Sequence, residues 1–470
     1  MRLTLLAAAS LLPLLSLLSG CASTSATPSA LAVKPKNIIF FLGDGMGNNT
    51  LTAARIYAVG ESGELTFDTL PESAWVKTFS NDAQVTDSAA SMSAYMTGHK
   101  VNNGVLSMST DTIAAASGQP CSSGRAVPTL GELARARGMS VGVVTTTRVT
   151  DATPAAVYAH VCNRAMESEI AAALVPGGAG YNRALGAAGL DVLLGGGADY
   201  FAPAAKGGKR ADGRDLVAEL KAQGHAVVTD SAQLAAVAPA SRQPLVGLFG
   251  PGDLAYDAVR EAAAQPGLPE MTVKAIDRLA NNARGFFLMV ESGLIDLALH
   301  DNLAKRALQE TVVFDNALKA AIDRMRVLDP GLKNTLIVAT ADHDHTLLLN
   351  GYSRLTGKTT PTEPGVLGLL HRYGDNKLRL DLDGAPMTII GFGTGQNRVQ
   401  GSRASVPHLT DAQVSADGYR QEAVVRTAAG DETHSGTDVY LGAIGAGAAA
   451  FGGTIDNTRV FELIKAAAGL

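Results

Sequence analysis

The chain has 470 residues, with 39 Lys and Arg against 44 Asp and Glu, a formal net charge of −5. Hydrophobic residues make up 46% and charged ones 18%, which excludes disorder over most of the chain. The slight acidic balance excludes the cationic field of a generic nucleic-acid binder, and the length points to one large elaborated domain or two.

Residues 1–20 read as an export signal. Arg2 precedes an almost uncharged run from Leu3 to Leu18, too short and wrongly flanked for a spanning helix. The run ends Leu18-Ser19-Gly20-Cys21, which resembles the bacterial lipobox, whose Cys becomes a lipidated first residue. A plain cleaved secretion signal is the alternative. Residues 21–35 are small, polar and Pro-containing, a flexible tether. No second long apolar run follows. The expected location is outside the cytoplasm, periplasmic or anchored to a bacterial outer membrane, with membrane contact only through lipid at Cys21. In such an oxidising compartment Cys121 and Cys162 are expected to pair, two buried thiols being the alternative.

Four apolar runs without alternation follow: Asn37–Leu42, Ser140–Val144, Phe286–Val290 and Thr335–Ala339. Strands buried on both faces read this way. Val192–Leu194 and Met387–Ile390 add shorter ones. Between them, Thr129–Arg137 and Asn302–Met325 carry apolar residues at helical spacing. The pattern predicts an α/β fold with a largely parallel central sheet flanked by helices on both faces. Residues 36–470 then form one domain, and the Gly-, Thr- and Pro-rich stretch of about 350–430 is an insertion or cap over the sheet.

Three of the strands run into acids: Asp44, Glu291 and Asp342. Ligands in open α/β sheets bind beyond the carboxyl ends of the strands, so these acids should converge. Carboxylates sharing a crevice repel unless cations neutralise them, and a metal is the simplest such cation. A lone Asp44 would be a turn residue. Asp296 and His300 are four apart, on one face of a helix following Glu291, and a carboxylate with an imidazole suits zinc. An ordinary ion pair is the alternative, weakened by apolar neighbours. Asp342-His343 offers a second such pair. His434, taken alone, is a surface histidine. In Val85-Thr86-Asp87-Ser88-Ala89-Ala90-Ser91, small residues open a helix N-terminus to an anion. Ser88 is a nucleophile if a metal lowers its pKa and otherwise an N-cap, with Ser91 as competitor.

In order, NIIFFLGDGMG, VTDSAASMSAYMTG, DATPAAVYAHVCNR, DVLLGGG, FFLMVESGLIDLALH, TLIVATADHDH and ETHSGTDVYL resemble the motifs of the alkaline phosphatases. The resemblance implies hydrolysis of phosphate monoesters with two Zn2+ and one Mg2+, in a homodimer. It implies Ser88 as the nucleophile that forms a phosphoseryl intermediate and Arg164 as the residue gripping the phosphate. Asp44 would bridge one zinc and the magnesium, with Asp342 and His343 completing that zinc's ligands. Asp296, His300 and His434 would hold the other zinc, and Thr153 and Glu291 the magnesium, with Asp151 orienting its water. His345 matches a histidine beside the zinc that is not a ligand. Leu297 departs from the pattern, for the family commonly has Lys or His there, contacting phosphate through water.

Related metal hydrolases are alternatives. A sulfatase needs its modified Cys or Ser in a C/S-x-P-x-R context, which Ser88 lacks; a phosphodiesterase would differ in cap residues. A lipoprotein that binds metal or phosphate without turnover would show a broken ligand set, whereas every position here is filled.

Overall fold

The computed structural model describes residues 34–116, 119–405 and 408–470. The export signal, Cys21 and the tether up to residue 33 lie outside them. In chain order the strands are β1 (Asn37–Gly43), β2 (Glu72–Lys77), β3 (Ser140–Arg148), β4 (Val192–Gly196), β5 (Ala226–Val228), β6 (Leu245–Leu248), β7 (Phe286–Ser292) and β8 (Thr335–Ala341). They continue as β9 (Asp344–His345), β10 (Leu347–Leu349), β11 (Ile390–Gly395), β12 (Ala423–Arg426), β13 (His434–Ser435), β14 (Val439–Gly445) and β15 (Gly453–Asp456).

Among the described residues, ten strands make one sheet in the order β15-β2-β14-β8-β1-β7-β3-β4-β6-β5. Only β14 runs against its neighbours, β2 and β8; every other pair in the sheet is parallel. The central strands read as continuous apolar runs because both faces are covered: every residue of β1, β7 and β8 is buried. The fold is α/β with helices flanking this sheet. The long helix Ala304–Leu328 packs against Leu268–Leu279 and Asn48–Val59, and Ser88–Thr97 packs against Asn457–Ala468.

Helix starts follow local chemistry. Thr129 caps Leu130–Ala136 by accepting from Glu132 N, while the Glu132 carboxylate takes Thr129 N, a reciprocal box that satisfies two otherwise orphaned donors.

Register places the loops that matter. Gly43 of β1 lies beside Ser292 of β7 and Ala341 of β8, and Glu291 lies beside Leu42 and Thr145. The strands leaving toward Asp44, Glu291 and Asp342 therefore end level with one another. One expected strand is displaced: Ile390 starts β11 rather than ending a strand from Met387. Met387 O is taken by Leu370 N, and the glycines beyond Ile390 let the strand pass close to other groups. A Cβ on Gly395 would lie 2.3 Å from Asn302 Oδ1. Strands β10, β11 and β12 form a separate small sheet within the stretch of about 350–430 and its borders.

Candidate active site

Ser88 is the first residue of a ten-residue helix, and Asp87, not Ser88, is its N-cap, accepting from Ala90 N at 3.0 Å. The Ser88 hydroxyl is thereby free of capping duty. Its Oγ lies 3.3 Å from His343 Nε2 and 3.4 Å from Asp44 Oδ1. His343 Nε2 is also 3.3 Å from Asp342 Oδ2 and 3.4 Å from Asp44 Oδ1. Asp342 Oδ1 is occupied, accepting from Gly45 N and from His343 N at 3.0 Å each. Asp44 Oδ2 accepts from Thr153 Oγ1 at 3.1 Å. Ser91, the other serine of this turn, instead donates to Asp342 O at 2.8 Å.

Asp296 and His300 lie on the helix Leu294–His300, which begins just after β7. His434 returns to them because β13 pairs antiparallel with β9, setting His434 beside His345. His434 Nε2 is 3.2 Å from His300 Nε2 and 3.6 Å from Asp296 Oδ1. His300 Nε2 is 3.4 Å from Asp296 Oδ2. Carbonyl oxygens fix both rings from behind: Glu432 O at 2.5 Å from His300 Nδ1, and Thr86 O at 2.9 Å from His434 Nδ1. The His343 and His434 rings stack with centroids 3.5 Å apart, which joins the two groups into one cluster.

Arg164 sits between two acids. Its Nη1 is 3.2 Å from Asp87 Oδ2 and its Nη2 is 3.0 Å from Asp151 Oδ1. Cys162, two residues earlier, is disulfide-bonded to Cys121. Glu291 accepts from Thr145 and, at 3.3 Å, from Thr147 Oγ1.

Burial, then the charges of Asp342, Asp296 and Glu291, hold the Asp44 carboxyl well above the usual range. Burial pushes Glu291 up to about 8 and Asp342 up to about 6. Burial also raises Asp296, but His300, His345 and His434 overcome it and carry its carboxyl below the usual value. Burial and neighbouring histidines push His343 down and bring His434 down to about 4. Burial would lower His345 too, yet Asp296 and Glu432 lift it to about 10.

These residues fit divalent cations. Asp342 Oδ2, which faces His343 Nε2, is buried without a hydrogen-bond partner. The oxygens around His343 Nε2 stand at 3.3–3.4 Å, beyond the usual hydrogen-bond mode. A tetrahedral ion with ligand bonds of about 2.0–2.1 Å has ligand–ligand edges of about 3.3 Å. Asp44, Asp342 and His343 each bring a ligand atom within 4.8 Å of the others, as do Asp296, His343, His345 and His434 in a second group and His300, His345 and Glu432 in a third. His345 is engaged at both ring nitrogens, by Asp296 Oδ1 at 2.6 Å and by Glu432. It therefore orients Asp296.

Three contributors escaped the sequence reading. Asp87 caps the Ser88 helix and pairs with Arg164; its position directly before the serine was the available signal. Glu432 is buried and faces His345 and Thr346, inside a motif noticed only for His434. Arg148 faces three acids, Asp151, Glu167 and Asp253, and no local pattern marks it.

A family model described as alkaline phosphatase matches residues 35–470. The tissue-nonspecific alkaline phosphatase of Gallus gallus is 37% identical over 441 residues, covering 87% of this chain and 80% of its own. An alkaline phosphatase of Gadus morhua is 36% identical, covering 88% of this chain and 87% of its own. The crystal structure of Thermus thermophilus alkaline phosphatase superposes with a TM-score of 0.66 at 27% identity, over 93% of this chain and 92% of that one.

Proposed function

Because this chain belongs to the alkaline phosphatase family and hydrolyses phosphate monoesters, we propose that it does so through a phosphoserine formed on Ser88. The observation that carries the reading is the Ser88 hydroxyl, 3.3 Å from His343 Nε2 and 3.4 Å from Asp44 Oδ1 at the open end of its helix. One zinc would be held by Asp44, Asp342 and His343, and another by Asp296, His300 and His434. Magnesium would be held by Asp44, Thr153 and Glu291, with Asp151 beside it. When bound, such ions neutralise the clustered carboxylates, sharpen oxygen nucleophiles at neutral pH and stabilise the entering and leaving oxygens of an in-line displacement.

The rest is the work of the chain. Arg164, held between Asp87 and Asp151, presents a planar fork that matches two phosphate oxygens. The N-terminal dipole of Ser88–Thr97 favours the same anion. Ser88 Oγ bonds to phosphorus as the ester P–O bond breaks and the alcohol departs. Water then attacks the phosphoserine, releasing phosphate and restoring the hydroxyl, with protons exchanged through solvent. Charge neutralisation and alignment are what this transfer demands.

The same reading takes residues 36–470 as one catalytic domain with an insertion at about 350–430, paired as a homodimer. It places the molecule outside the cytoplasm, tethered by lipid at Cys21. The Cys121–Cys162 bridge supports an oxidising compartment. No helix among the described residues is long and apolar enough to cross a membrane.

Rapid acid quench after mixing with a radiolabelled aryl phosphate should trap label on Ser88. Ser88→Ala should lose turnover by about a thousandfold or more while keeping its metals. A variant that keeps most of its turnover would remove Ser88 from this role.

A further inference from the structure

A cavity of about 440 Å³ opens at the amino ends of β3 and β4, the end of the sheet opposite the catalytic cluster. Ser140, Asp191, Ser241, Arg242, Arg278 and Arg284 are among the residues lining it. The wall thus carries three guanidinium groups and one acid, and that acid is already engaged. Asp191 Oδ2 accepts from Arg135 Nη2 at 2.5 Å and from Val141 N at 2.8 Å.

Arg278, on the helix Leu268–Leu279, is only 7% exposed. Its two terminal nitrogens donate to backbone carbonyls, of Ala238 at 3.0 Å and of Gln243. Its Nε is buried without a partner. Among the described residues no carboxylate pairs with it, and burial pulls its pKa down against only partial support from Asp191. A buried cation without a counter-charge is costly, and most find an anion. Arg242 and Arg284 are exposed and form no ion pair among the described residues; Arg284 reaches only the Arg137 carbonyl, at 3.3 Å. The hydroxyls of Ser140 and Ser241 accept from Asn282 and Gln243, which leaves their protons to donate.

We propose that this cavity is a second anion site, separate from the catalytic centre, which binds a small molecule carrying a phosphate group. A tetrahedral dianion has acceptor oxygens for donors converging from several walls, and guanidinium is the side chain best matched to them. The volume falls within the range of small-molecule sites, leaving room for an organic body on the phosphate.

Titration calorimetry of the metal-loaded enzyme with phenylphosphonate tests this, since its carbon–phosphorus bond is not a phosphoester. The wild type should show two classes of site. Arg242→Glu and Arg284→Glu, both exposed substitutions, should each weaken the second class about tenfold or abolish it. Arg278→Gln should do the same if it folds. Hydrolysis of an aryl phosphate should be unchanged in the two exposed variants. A single class of site in the wild type would overturn the proposal, as would a second class that Arg242→Glu and Arg284→Glu leave unaltered.

Discussion

Arg148 and Arg164 hold opposite oxygens of one carboxylate. Arg148 Nη2 meets Asp151 Oδ2 at 2.6 Å, and Arg164 Nη2 meets Asp151 Oδ1 at 3.0 Å. Arg148 is itself fixed, its Nη1 at 2.8 and 2.7 Å from the two Asp253 oxygens and its Nε at 3.0 Å from Glu167. The guanidinium proposed to grip phosphate is thus braced, through Asp151, by a second one whose donors are taken by Asp151, Glu167 and Asp253. Arg148→Met should let Asp151 and Arg164 turn, raising KM for an aryl phosphate about tenfold with a smaller loss in kcat. Arg148→Lys should recover part of the effect, because an ammonium can serve one of the three acids. Unchanged KM beside a lowered Tm would mean that Arg148 serves only the fold.

Gly47 ends the GDGMG motif and carries a packing constraint. A Cβ there would lie 1.6 Å from Asp344 Oδ1 and 1.9 Å from its Cγ. Asp344 cannot easily give way, since it accepts from His345 N at 2.8 Å and from Thr437 Oγ1 at 2.6 Å. It also stands between His343 and His345. Gly47→Ala should therefore cost about 3 kcal/mol or more in denaturant unfolding and loosen the adjacent histidines. Bound zinc, measured by elemental analysis on the purified variant, should fall with it. Wild-type stability and zinc content would show that Asp344 moves freely.

Such contacts explain what the sequence could and could not reveal. Asp44, Glu291 and Asp342 were legible because each ends an apolar run, and parallel register then brings run ends together. Asp296 and His300 were legible because a helical turn is a local fact. Glu432 was not, for its partner His345 lies 87 positions away and is reached only through the β9–β13 pair. Arg148 and Arg278 were illegible for the same reason, since their significance lies in which acids do or do not surround them. The displaced start of β11 reflects glycines chosen for close approach, which periodicity cannot distinguish from a turn.

The acids in the cluster make metal removal a stability experiment as well as an activity one. Asp44, Glu291 and Asp342 are buried together and burial raises all three; the Asp342 charge raises Asp44 and Glu291 further, and the Asp296 charge does the same for Asp342. Cations that bind the folded state alone add stability by mass action, and at about a thousandfold excess over Kd each site adds roughly 4 kcal/mol. Exhaustive chelation should abolish turnover and lower Tm by about 10 °C or more, and zinc with magnesium should restore both. Full activity and an unmoved melting curve in excess chelator would defeat the metal assignment.

The pair Glu132–His160 sets a pH dependence outside the catalytic cluster. His160 Nε2 lies 2.8 Å from Glu132 Oε1, and its Nδ1 lies 2.7 Å from Ser107 O. Burial lowers His160, but the Glu132 carboxylate outweighs it and raises the ring above its ordinary 6.5. Burial raises Glu132, but His160, Asn182 and the Thr129 N–H carry it below its ordinary 4.5. The raised histidine contributes stability that is complete below 6.5 and is lost as pH climbs through its folded value. The lowered acid contributes stability that is present above 4.5 and is lost as pH falls through its folded value. Both contributions are whole only between about 4.5 and 6.5. His160→Gln should keep the neutral hydrogen bond and remove the charge. Its Tm deficit against the wild type should be largest near pH 5.5 and shrink steadily toward pH 9. A deficit that stays constant across that range, followed by scanning calorimetry, would show that packing rather than the imidazolium charge is what the substitution removed.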